Sequence, residues 1–234
     1  MENQRDELRG VIARRDGAGL ITLLRRRWAG DALQLIGDGL LAAQAEAMAG
    51  AEELARRCAA DLRERDWAGD EELADQIGAT LGVAPASMLR PVPVELGELS
   101  MLLEDDQFGM GGRVDLDTGV VWSDPALDYA REQGELTEDD LDDPDRWLLI
   151  DPFASNVAFD DMEAFVDTVD DPRLSNRLAG ALRGRGPFRH FKDALAGSRE
   201  EHDRWYGFAE ERQLGRARAW MAENGHACVP GSGK

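Results

Sequence analysis

The sequence predicts an α+β fold that is predominantly helical. An N-terminal antiparallel helix bundle or helix-pair array should be followed by a small antiparallel three-stranded sheet packed with four C-terminal helices. Three observations carry this expectation. Apolar residues recur at helical spacing through the first 82 positions, broken by Gly and Asp rather than by strand-like alternation. Pro85 and then Pro91-Val92-Pro93 interrupt that pattern, because proline cannot continue a helix and holds its predecessor extended. Beyond them, two β-rich runs flank Asp117-Thr118-Gly119, a three-residue loop with glycine where a hairpin needs a left-handed residue.

Each element has a local reason. Leu8, Val11 and Ile12 precede the breaker Asp16-Gly17, and Leu20, Leu23, Leu24 and Trp28 run to Gly30. Leu33, Ile36 and Leu40 mark a third helix, weakened by Gly37 and Gly39 at about 1 kcal/mol each against alanine. Ala51, Leu54, Ala55, Cys58 and Leu62 line one face of a fourth. Asp70 reads as the N-cap of a fifth, with Leu73, Ile77 and Leu81 on one stripe ending at Gly82. After the prolines, Leu96, Leu99, Leu102 and Leu103 give a short helix, and an acidic, glycine-rich loop runs from Glu104 to Gly112. The hairpin pairs Arg113–Leu116 with Val120–Trp122, and Arg146–Asp151 reads as a buried third strand closed by Pro152. Between them, Glu135–Asp145 is an acidic excursion with one short helical turn after Thr137. Four helices follow. Met162, Phe165, Val166 and Val169 form one face, and Asp171-Pro172 opens the next helix as N-cap and first residue. Pro187 starts a third, and Ser198 with Glu201 forms a capping box for the longest, which stops at Asn224-Gly225. The expected organisation is therefore a helical domain over 1–84, a proline-containing linker over 85–93, an α+β domain over 94–226 and a flexible tail over 227–234.

Composition narrows the function classes. The chain has 234 residues, 43% apolar and 32% charged, which excludes a mainly disordered, collagenous or disulfide-stapled protein. No apolar run approaches the roughly 18 residues of a membrane span, and Met1–Asp6 lacks the pattern of a secretory leader, so a cytoplasmic location is expected. Formal net charge is −20, unevenly spread. Residues 1–92 carry a net −4, residues 93–172 a net −21 and residues 173–234 a net +5. A field of this sign repels duplex nucleic acid and anionic membranes. Only Lys192 and Lys234 are lysines, and with so much Ala, Gly and Asp this reads as a GC-rich bacterial coding bias. Cys58 and Cys228 are far apart and form no Cys-x-x-Cys pair, so neither a disulfide framework nor structural zinc is expected.

The most distinctive stretch is Gly184-Arg185-Gly186-Pro187-Phe188-Arg189-His190-Phe191-Lys192-Asp193. With Trp205-Tyr206-x-Phe208, Arg212 and Trp220 it resembles a bacterial group, uncharacterised protein family 0158, over roughly residues 93–225. Members of that family usually carry Ala where Pro187 stands and Arg where His190 stands. The resemblance implies a small α+β module and brings no established activity with it.

Chemistry-bearing constellations are scarce. His190, His202 and His226 have no metal-ligand spacing, and no cofactor or metal is implied. No nucleophile elbow and no phosphate-cradling glycine motif occurs, so the expectation leans away from an enzyme. One candidate site stands out, an anion-binding turn of Arg183, Gly184, Arg185, Gly186, Arg189 and Lys192 at a helix start. Its alternative is structural, with those arginines neutralised by the acidic middle segment. The leading functional expectation is a non-catalytic protein-binding or adaptor module. The alternative is an enzyme or sensor for a small phosphorylated or anionic ligand at Gly184–Lys192, and a weaker third is imitation of nucleic acid by the acidic middle segment.

Overall fold

A computed structural model describes residues 4–104, 111–153 and 156–231. Five helices form the N-terminal part: α1 (Gln4–Ala13), α2 (Gly17–Arg26), α3 (Leu33–Ala45), α4 (Ala51–Arg65) and α5 (Asp70–Thr80). They begin and end where the breakers stand. The Asp16 carboxylate caps α2 by accepting from Gly19 N–H at 2.8 Å, and Gly50 and Gly69 occupy the N-cap positions of α4 and α5 with φ of 89° and 80°. Their apolar faces close on one core that includes Leu8, Leu24, Ile36, Leu40, Leu62 and Ile77. Helix α3 packs against α1, α2, α4 and α5, so the bundle is gathered around it. Its two glycines, costly for helix propensity, have a packing reason. A Cβ at Gly37 would stand 2.5 Å from the Leu73 side chain, and one at Gly39 would stand 2.6 Å from that of Leu20.

Asp70 is not an N-cap. Gly69 holds that position, and Asp70 is the first helical residue, 1% exposed, with its carboxylate turned back to accept from Trp67 N–H at 3.0 Å. A short polar residue ahead of an apolar stripe looks the same in sequence whether it caps a helix or enters a buried ion pair.

Strand β1 (Arg90–Val92) and α6 (Leu96–Leu103) lead to β2 (Gly112–Asp115), β3 (Val121–Ser123), α7 (Asp124–Glu132), α8 (Glu138–Leu141) and β4 (Trp147–Ile150). The hairpin forms as its turn chemistry predicts. Gly119 takes φ 76°, its N–H donates to Asp115 O at 2.7 Å, and the Asp115 carboxylate accepts from Asp117 and Thr118 N–H. The antiparallel sheet has the order β3-β2-β4, with Val114 opposite Val121 and Leu148. Val114 and Ile150 meet Leu99 and Leu103 of α6 in a second core. The turn after Thr137 is α8, closed by a capping box between Thr137 and Asp140. Helix α7 is absent from the apolar-period reading because only Leu127 and Ala130 of it are buried, although Ser123-Asp124-Pro125 is a start signal. Most of the loop expected between Glu104 and Gly112, positions 105–110, lies outside the described residues.

The four expected C-terminal helices are α9 (Val157–Val166), α10 (Pro172–Leu182), α11 (Pro187–Leu195) and α12 (Arg199–Glu223), followed by β5 (His226–Cys228). Asp171 caps α10 through Arg173 N–H at 2.9 Å, and Ser198 accepts from Glu201 N–H at the start of α12. Phe165, Phe191 and Trp205 form the centre of a third core, with ring centroids 5.0–6.3 Å apart and edge-to-face.

Two further departures from expectation turn out to be one. The proline-containing stretch carries β1, and the stretch expected to be loose begins with the last residues of β5. The two strands pair in parallel, Arg90 opposite His226 and Val92 opposite Cys228. Such short strands are held by each other, by side chains such as Gln76 and by the core that takes in Val92 and Cys228, a contact no local signal announces. Residues 232–234 lie outside the described residues. Among the described residues, no helix is long and apolar enough to cross a membrane.

Candidate functional site

Charge, which dominates the composition, is organised in two different ways. The first is a buried network along α12. Glu211 is 1% exposed in the middle of that helix. Its carboxylate accepts from the N–H groups of Gln34 at 2.8 Å and Leu35 at 3.2 Å, in the first turn of α3. The N-cap of α3 is Ala32, which has no side chain able to accept those bonds, so Glu211 caps α3 from a distant helix. Arg65 and Arg5 donate to the same carboxylate at 2.9 and 3.4 Å. Burial pushes the Glu211 carboxyl up, against the opposing pull of these two guanidinium groups and of Gln34 N–H.

The network continues on both sides. Arg65 grips Asp70 with two bonds of 2.7 and 2.9 Å. Gln34 donates to Asp70 and accepts from Arg218 Nε, each at 2.9 Å. Arg218, itself 1% exposed, donates to Asp38 at 2.6 Å and to Gln76, which donates in turn to the Cys228 carbonyl. Two glycines let α12 approach. A Cβ at Gly215 would lie 2.1 Å from the Ala68 carbonyl, and one at Gly207 would lie 3.1 Å from the Arg5 guanidinium. Gly207, Glu211, Gly215 and Arg218 thus form one stripe at helical spacing. That stripe was the sequence signal for this seam, and a search for apolar periodicity passes over it.

A second buried cluster ties α12 to α9 and α6. Asp161, 2% exposed, accepts from Arg212 and Arg216, and Arg216 also donates to Glu104. Arg212 and Arg65 both lie over the Trp67 ring, at 5.3 and 4.4 Å from its centroid.

The candidate anion turn is organised differently. Gly186 adopts φ 71° as the N-cap of α11, and Pro187 starts the helix. Arg183, Gly184, Arg185, Gly186, Arg189 and Lys192 are all exposed. Among the described residues the one ion pair of the group joins Arg189 to Asp193 on its own helix at 3.9 Å. The acidic middle segment does not neutralise this turn. Among the described residues it pairs instead with Arg90, Arg131, Arg146, Arg212 and Arg216.

The remaining reactive groups are quiet. Burial pushes the Cys58 thiol far up and the Cys228 thiol up to about 12, so neither supplies thiolate near neutral pH. Burial, with help from Arg90, lowers the His226 imidazole. Among the described residues, no group of three or more His, Cys, Asp or Glu is placed to hold a metal ion. Of two cavities lined by described residues, neither lies at the arginine turn. One of about 350 Å³ lies between α1, α2, α3 and the C-terminal residues, and one of about 210 Å³ lies between α5, the Pro85–Leu89 segment and β5.

The uncharacterised protein family UPF0158 matches residues 115–230. A curated UPF0158 protein of Pseudomonas aeruginosa is 32% identical over 142 residues, spanning 58% of this chain and 86% of the relative. The chain belongs to UPF0158. No solved structure matches it. The UPF0158 segment contains the arginine turn, Asp161 and the whole of α12, whereas Arg5, Gln34, Arg65 and Asp70 precede it. In this UPF0158 protein the central glutamate of the last helix is therefore satisfied by residues outside the family match.

Proposed function

We propose that this UPF0158 protein is a non-catalytic cytoplasmic binding or adaptor module, with a helical unit over 1–84 fixed to an α+β unit over 94–226. The observation that carries the reading is the contrast in charge use. Every buried ionic group described above is consumed in joining elements, while Arg183, Arg185 and Lys192 stand on a proline-started turn without an ion-pair partner among the described residues. Phe188, 43% exposed on the same turn, adds apolar area to those cations. A basic turn with an aromatic side chain suits an acidic protein surface, where arginine supplies planar, multidentate contacts. Its exposure favours a broad contact over enclosure of a small anion.

The test is co-purification of tagged full-length protein from a bacterial lysate at low and moderate salt, beside a variant carrying Arg183→Glu, Arg185→Glu and Arg189→Glu. A partner retained by the wild type at low salt, and lost both with salt and in the variant, supports the reading. Equal recovery with both proteins, or recovery of the protein alone throughout, removes it.

A further inference from the structure

The cavity of about 350 Å³ lies at the small end of the range of about 300–1,000 Å³ typical of ligand clefts. Its walls are apolar, with Ile12, Leu20, Leu35, Val94 and Leu214 among them, and the C-terminal residues Val229–Gly231 cover one side. That cover is held down, since Val229 N–H donates to Val92 O at 3.0 Å and Arg15 donates to the Gly231 carbonyl.

The ionic lining is one-sided: four carboxylates, from Asp16, Asp38, Glu46 and Glu95, against the single guanidinium of Arg15. Two of the four are already engaged, Asp16 as the cap of α2 and Asp38 with Arg218. The carboxylates of Glu46 and Glu95, both on exposed residues, have no hydrogen-bond or ion-pair partner among the described residues. Glu46 is also placed against the local field. It is the C-cap residue of α3, whose last turn holds no basic side chain, so a carboxylate sits at the end of a helix where a cation is favoured.

We propose that this cavity binds a small organic cation, an ammonium or guanidinium group on a compact apolar body. The body would fill the space against Leu20, Leu35 and Leu214, and the cation would meet Glu46 and Glu95 at the rim together with the negative end of α3. The inference does not depend on the arginine turn, and the two readings fail separately.

Calorimetric titration of the full chain tests it with 2-phenylethylammonium and cyclohexylammonium, each beside its neutral alcohol and its carboxylate counterpart. Saturable one-to-one binding of an ammonium is expected, weakened about tenfold by the paired Glu46→Gln and Glu95→Gln substitutions, as loss of two nearby charges implies. Ala42→Trp, which fills the cavity from its lining one helical turn before Glu46, should abolish binding. Tighter binding of the carboxylates, unchanged binding in the paired variant, or no saturable binding of either ammonium overturns the proposal.

Discussion

Arginine does two jobs in this molecule, and the regions that separate them are the α12 seam and the α10–α11 turn. At the seam, Arg5, Arg65 and Arg218 come from distant parts of the chain, are largely removed from water and find carboxylates or amides at 2.6–3.4 Å. At the turn, Arg183, Arg185 and Arg189 come from seven consecutive residues and stay in water. Spacing in sequence does not separate the two, since Arg212, Arg216 and Arg218 also fall within seven consecutive residues and all are paired. The reason is spatial. The turn stands exposed on the surface, whereas α12 packs against α3, α6 and α9, which bring Asp38, Glu104 and Asp161 to its arginines. Burial then makes each seam contact consequential, because removing one partner strands a charge that water cannot reach.

The comparison can be broken first at Glu211. Replacing it with Ala leaves Arg5 and Arg65 short of a partner and uncaps α3, so a loss of about 3–5 kcal/mol is expected in urea unfolding. A loss below about 1 kcal/mol would mean that the seam is no more than surface pairing. Next comes close approach. Gly215→Ala should cost about 1–3 kcal/mol, since the added methyl meets the Ala68 carbonyl backbone rather than a yielding side chain. The smallest effect belongs to the turn, where Arg183→Ala and Arg185→Ala should each leave the unfolding midpoint within about 0.5 kcal/mol of the wild type.

A pH experiment between these extremes sharpens the contrast at the hairpin. Burial pushes the Asp115 carboxyl up, but hydrogen bonds from Arg146 and from Asp117 and Thr118 N–H prevail and hold it below the usual carboxylate range. A carboxyl lowered on folding contributes stability above its unfolded pKa of about 3.9, and that contribution is lost as pH falls through the lower folded value. The stability gap between wild type and Asp115→Asn should therefore be full at pH 7 and narrow below about pH 4 in denaturant titrations. A gap that widens on acidification would reverse the sign of the assignment.

The two regions were also unequally legible. The turn could be read in detail, because Gly186, Pro187 and the run of basic residues are neighbours whose meaning is local. What could not be read was where those charges would find partners; pairing with the acidic middle segment was a reasonable electrostatic expectation that geometry overruled. The seam was nearly invisible. Helix α12 buries Trp205, Glu211, Gly215 and Met221 around more than one side, so it shows no single apolar face. Asp70 resembled a cap because a cap and a buried ion pair begin from the same residue type.

Local chemistry alone determined the helices, the Asp117-Thr118-Gly119 hairpin, the Asp171-Pro172 start and the membership of a family with no assigned activity. Such features depend on neighbours within a few positions, where backbone sterics and turn hydrogen bonds dominate. Tertiary structure decided the parallel pairing of β1 with β5, the capping of α3 by Glu211 and the acid-rimmed cavity behind the C-terminal residues. Each of these joins segments more than a hundred residues apart, and long-range pairing is chosen by the shape and burial of the assembled core rather than by any pattern within one segment.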